Sequence, residues 1–128
     1  MSGKKVIFIS KSRLTQNLME LIINAVPRRL GFESFDDLAA FKKAALLKTV
    51  HLIILDQNCL PEATAVAELD LLFSRKQFKA AKKIFIFSHG TKIDYDTFKN
   101  CGIQQFYTKP FLPEEFIEII SHHLGIKA

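Results

Sequence analysis

Leu52-Ile53-Ile54-Leu55-Asp56-Gln57-Asn58 sets four consecutive apolar residues ahead of a carboxylate and two amides. A continuous apolar run this short is what a strand covered on both faces requires, and it is too brief for a buried helix. Val6-Ile7-Phe8-Ile9 and Ile84-Phe85-Ile86-Phe87 repeat the pattern, and residues 32–35 and 103–107 are weaker strand candidates. Between these runs, apolar residues recur at helical spacing. The first such segment carries Leu14, Leu18, Leu21 and Ile22, and the second Leu38, Phe41 and Ala45. The third follows Pro61 through Ala65, Leu69, Leu72 and Phe73, the fourth covers residues 95–100 with Gly102 at its end, and the last carries Phe116, Ile119, Ile120 and Leu124. Ser12 or Thr15 can cap the first helix, and Pro27 stops it near Ala25.

Strand and helix therefore alternate five times, which predicts an α/β domain over residues 1–128, with a parallel sheet and five helices on its two faces. The length suits one domain, and a hydrophobic content of 48% suffices for its core. The longest apolar runs are far too short to span a bilayer. Cys59 and Cys101 have no metal-ligand spacing and no apolar leader precedes the first strand, so two free thiols in the cytoplasm are expected. The formal charge of +5 is densest at Arg75, Lys76, Lys79, Lys82 and Lys83, where Phe78 is the one aromatic among the charges. A nucleic-acid module is therefore disfavoured and a solvated basic surface expected. His89 and the pair His122-His123 read as surface residues, because adjacent histidines on a helix diverge by about 100°.

In open parallel sheets, ligands gather beyond the carboxyl ends of the strands. There the sequence places Ser10 and Lys11 after the first strand and Asp56, Gln57 and Asn58 after the third. Ser88, His89 and Gly90 follow the fourth strand, and Thr108-Lys109-Pro110-Phe111 the fifth. This set resembles the receiver domain of bacterial response regulators over essentially the whole chain. LIILDQN is similar to the strand presenting the phospho-accepting aspartate, IFIFS to the strand that ends in a switch hydroxyl, and FYTKPF to the fixed lysine followed by proline. The resemblance implies a flavodoxin-like (CheY-like) doubly wound sheet in strand order 2-1-3-4-5. It also implies Asp56 as acceptor, Ser88 as switch hydroxyl, Lys109 as fixed cation, Asn58 as backbone metal ligand and Phe106 as rotating aromatic. A cis peptide between Lys109 and Pro110 is expected with it.

The departures from that family are chemical. Where a phosphorylating receiver carries two acidic residues to hold magnesium, this sequence has Ser10 and Lys11. His89 stands where a very small residue is usual, and the segment from Asp56 to Pro61 is one residue longer than the usual loop. A competent pocket of three carboxylates and one lysine carries −2, whereas Asp56, Lys11 and Lys109 together carry +1. Each unit charge beside a divalent ion is worth on the order of several kcal/mol even at an effective dielectric near 20. Magnesium and phosphoryl transfer are expected to be lost, with Lys11 taking the metal's place against Asp56.

The expected function is that of a pseudo-receiver: a phosphorylation-independent protein–protein interaction module in bacterial signal transduction, with no catalysis and no cofactor of its own. Its expected partners are signalling proteins, among them a histidine kinase or a second copy of the domain, with neither membrane nor nucleic acid. The resemblance puts the partner surface on the fourth helix, fifth strand and fifth helix, near Tyr95, Lys99, Tyr107 and Glu114. The alternative is a phosphorylatable single-domain response regulator that takes phosphate on Asp56 and uses Mg2+.

Overall fold

The computed structural model describes residues 4–44, 49–60 and 65–126, with the backbone alone at 65 and 66. Five strands, β1 (Lys5–Ile9), β2 (Gly31–Phe35), β3 (Leu52–Asp56), β4 (Lys82–Phe87) and β5 (Gln105–Thr108), form one parallel sheet in the order β2-β1-β3-β4-β5. Among the described residues there are six α-helices: α1 (Arg13–Asn24), α2 (Leu38–Lys43), α3 (Ala65–Phe73), α4 (Lys76–Lys79), α5 (Tyr95–Asn100) and α6 (Pro113–Leu124). The predicted fold class stands, with one helix more than the five expected. The extra helix is the single turn α4, whose sequence KQFK offers only Phe78 as an apolar signal. Ala45 and Pro61, used to place two helices in the sequence, lie outside the described residues.

Strand alternation sends successive side chains to opposite faces and divides the core in two. Ile7, Ile9, Ile53, Leu55, Phe85 and Phe87 face α2 to α5, where Phe41 and Phe78 are packed 5.0 Å apart. Val6, Phe8, Leu52, Ile54, Ile84 and Ile86 face α1 and α6, against Met19, Ile22, Ile23, Phe116, Ile120 and Leu124. Phe8, Phe41, Phe78, Phe85 and Phe116 are fully buried, each contributing about 1.5–3 kcal/mol by removal from water.

The helix boundaries follow local chemistry. Ser12 caps α1 by accepting the Thr15 N–H, and Asp37 caps α2 through the Ala40 N–H. Gly125, at φ 67°, ends α6 in the left-handed region that a side chain resists. β4 starts two residues before its apolar run, at Lys82. Its neighbour Lys83 is 5% exposed, with its ammonium 5.2 Å from the Phe73 ring centre and donating to the Lys79 carbonyl. The Lys109–Pro110 peptide is cis, as expected.

Candidate functional site

Asp56 ends β3 with its residue 1% exposed, and three strand ends converge on its carboxylate. From β1, the wholly buried Ser10 donates its hydroxyl to Asp56 Oδ2 at 2.9 Å. From β5, Lys109 Nζ donates to the same oxygen, also at 2.9 Å. Lys109 is positioned by its own N–H, which bonds the Phe87 carbonyl at the end of β4. The other oxygen, Oδ1, takes a long 3.4 Å contact from the Asn58 N–H.

Ser10 is held in turn. Its oxygen accepts the Ser12 N–H at 3.2 Å, and its carbonyl accepts from Gln16 Nε2 at 2.7 Å. Gln16 is buried on α1, also donates to Asp36 Oδ1 and accepts from the Ser34 hydroxyl, so the β1 corner is tied to the end of β2. A polar residue three positions before Met19, on the buried stripe of α1, is the sequence signal for this network. Gln16 lies outside the family motifs.

Asn58 contributes through its side chain. Oδ1 accepts the Lys11 N–H at 2.9 Å, and Nδ2 lies 3.3 Å from Ser10 Oγ. That amide bridges the β1 and β3 corners directly. The expected pairing of Lys11 with Asp56 does not form. Lys11 is exposed, and only its backbone N–H takes part in the corner, because the inward position after β1 belongs to Ser10. Ser88 and His89 are exposed beyond β4, and the Ser88 hydroxyl makes no bond to Asp56 among the described residues.

Cys59 donates its thiol to the Asp56 carbonyl at 2.9 Å. Burial, with the Asp56 charge adding to it, pushes its pKa up to about 12, so the thiol stays protonated and inert. Among the described residues no three His, Cys, Asp or Glu side chains cluster as a metal site.

Of the residues expected at a partner surface, Tyr95, Lys99 and Glu114 are exposed. Tyr95 lies edge-on to the half-buried Phe106 with ring centres 4.8 Å apart. Tyr107 is a correction. It is 7% exposed, because alternation along β5 turns it to the face opposite Phe106. There it packs on Phe111 and Phe116, and its hydroxyl accepts the Leu112 N–H at 3.1 Å. His123, expected at the surface, is half-buried and bonded to Gln105.

Solved structures carry the same architecture at low sequence identity. Chemotaxis protein CheY4 of Vibrio cholerae is 18% identical, with a TM-score of 0.79 over 96% of this chain and 100% of that one. The fold is that of the response-regulator receiver. A CheY-like receiver domain protein of Methanospirillum hungatei is 16% identical, with a TM-score of 0.79 over 97% of this chain and 95% of its own. A response regulator of Thermotoga maritima is 12% identical, with a TM-score of 0.76 over 98% and 99% of the two chains. No protein-family model matches the receiver-fold chain, and no curated protein is a significant match. Among the described residues, no helix is long and apolar enough to cross a membrane.

Proposed function

We propose that this receiver-fold domain works as a protein–protein interaction module in signal transduction and accepts no phosphoryl group. The observation that carries the reading is the buried Ser10 hydroxyl donating to Asp56 Oδ2 at 2.9 Å. A divalent cation needs negatively charged oxygen ligands at this corner, and the side chains there supply one carboxylate already engaged by a hydroxyl and an ammonium. The Asn58 side-chain oxygen is taken by the Lys11 N–H, so Asn58 offers only its backbone carbonyl, the ligand the resemblance implies, and that donor carries no charge. This donor set does not fit magnesium. Without the ion, Lys109 alone is left to offset charge on a transferring phosphoryl group.

The bonds from Ser10, Lys109 and Asn58 hold the three strand ends in one arrangement, so a partner meets a fixed surface. Tyr95, 45% exposed and braced by Phe106, is the aromatic anchor such a surface offers; Lys99, one turn along α5, and Glu114, in the first turn of α6, are exposed as well.

The test is incubation with magnesium and a small acyl phosphate, read by intact mass. The expected result is an unchanged mass. Gain of one phosphoryl group, abolished by Asp56→Asn, establishes instead the phosphorylatable regulator that uses Mg2+.

A further inference from the structure

The end of the sheet opposite Asp56 carries a basic surface. Adjacent strands begin there side by side, with the Gly31 N–H bonded to the Lys4 carbonyl, the His51 N–H to that of Lys5, and the Lys82 N–H to that of His51. Arg28 and Arg29 lead into β2, while Arg75, Lys76 and Lys79 lie on and before α4, which is bound to the start of β3 through Val50 N–H and the Gln77 carbonyl. These five cations and Lys82 are exposed, and among the described residues none of the six has an ion-pair partner. The Glu33 carboxylate on β2 is already taken by Lys5. Burial first, and the Lys82 charge after it, lowers the pKa of the neighbouring Lys83.

A second observation separates the candidate occupants. Leu21, 68% exposed, lies in the last turn of α1, and Leu71, 74% exposed, in the last turn of α3. These helices cover opposite faces of the sheet, so two bare leucines bracket the basic end. A cleft of about 510 Å³ where α1 leads into β2 is lined by Ile23, Val26, Pro27, Arg28, Arg29 and Leu30 among others, and its exposed lining is mostly polar. Nucleic acid calls for exposed stacking aromatics, whereas Phe73 and Phe78 here are buried. Cations bracketed by exposed leucines match the layered chemistry of an anionic bilayer surface, phosphate outside and acyl chain beneath.

We infer that the strand-N-terminal end of this domain docks peripherally on anionic phospholipid, with Arg28, Arg29, Arg75, Lys76, Lys79 and Lys82 on the headgroups and Leu21 and Leu71 entering the interface. The expectation of no membrane partner rested on the lack of a spanning run and does not bear on peripheral contact. Each cation held near an anionic bilayer adds about fivefold to partitioning.

The test is co-sedimentation of the full chain with phosphatidylcholine vesicles, with and without phosphatidylglycerol, and with duplex DNA as competitor. The expected result is binding only to the anionic vesicles. It should fall roughly 25-fold in Arg28→Gln/Arg29→Gln and equally in Lys79→Gln/Lys82→Gln. Leu21→Ser/Leu71→Ser should cost at least about tenfold, since even partial apolar burial of two leucines is lost. All six substitutions remove exposed groups, so circular dichroism should be unchanged. Absence of binding to anionic vesicles overturns the inference. So does binding indifferent to the leucine pair and displaced by duplex DNA, which assigns the surface to nucleic acid.

Discussion

If the Ser10 hydroxyl bonds the Asp56 carboxylate, the two residues must be energetically coupled, and a double-mutant cycle measures that coupling. Ser10→Ala removes a 2.9 Å bond to a buried carboxylate and leaves the Ser12 N–H without its acceptor. A hydrogen bond to a charged group is worth about 1.5–3 kcal/mol, so a loss of about 2 kcal/mol is expected. Asp56→Ala leaves the Lys109 ammonium without its partner and the Ser10 hydroxyl with only the Asn58 side chain and the Ser12 N–H. Breaking a buried ion pair costs about 3–5 kcal/mol, and the low end applies because the Lys109 side chain is 24% exposed and can turn to water. The Ser10–Asp56 bond is lost in both single variants but counts once in the double, which should therefore lose only about 3–4 kcal/mol instead of about 5. Urea unfolding resolves this, because with a slope of about 1–3 kcal/mol per M the Ser10→Ala midpoint moves by about 1 M. Lys11→Met is the control. With its ammonium in solvent it should shift stability by no more than about 0.5 kcal/mol. Strict additivity of the Ser10 and Asp56 variants, or a large effect at Lys11, refutes the arrangement.

Two further outcomes follow from titratable groups away from that bond. Burial raises the pKa of both thiols, that of Cys59 to about 12, so a thiol-specific reagent at pH 8 should label neither cysteine in the native protein and both in denaturant. Rapid native labelling of Cys59 contradicts its placement beneath Asp56. The pKa of His123 is lowered by burial first, then by His122 and Lys82, so protonation is disfavoured in the folded state. Stability is then complete above the unfolded pKa of about 6.5 and declines as pH falls from there through the lowered folded value. His123→Gln should flatten unfolding midpoints between pH 7 and 5; an unchanged slope means that other groups set it.

The strands, the helices and the parallel sheet were legible because strand runs and helix stripes obey one-dimensional rules of period and length, whereas the strand order came from the resemblance of LIILDQN, IFIFS and FYTKPF to receiver motifs. Leu52 to Leu55 cannot be anything but a doubly covered strand once helices flank it, and Ser12, Pro27, Gly102 and Gly125 act on their own neighbours. The convergence of Asp56 and Lys109 was legible for a related reason, since both sit at strand ends that the topology brings together. What the sequence left open turns on side-chain direction. Of the neighbours Ser10 and Lys11, only one can point inward, and the outcome depends on Gln16, Ser12 and Asn58 closing around the smaller hydroxyl while the longer, strongly hydrated ammonium stays in water. Tyr107 was assigned to the wrong surface because a strand residue's face depends on register with β4 across 20 residues of intervening chain, which pairs it with Ile86 on the side of α6. The gathering of Arg28, Arg29, Arg75 and Lys82 at one end is likewise tertiary, because residues dozens of positions apart come to the same end of the sheet only when four strands start side by side.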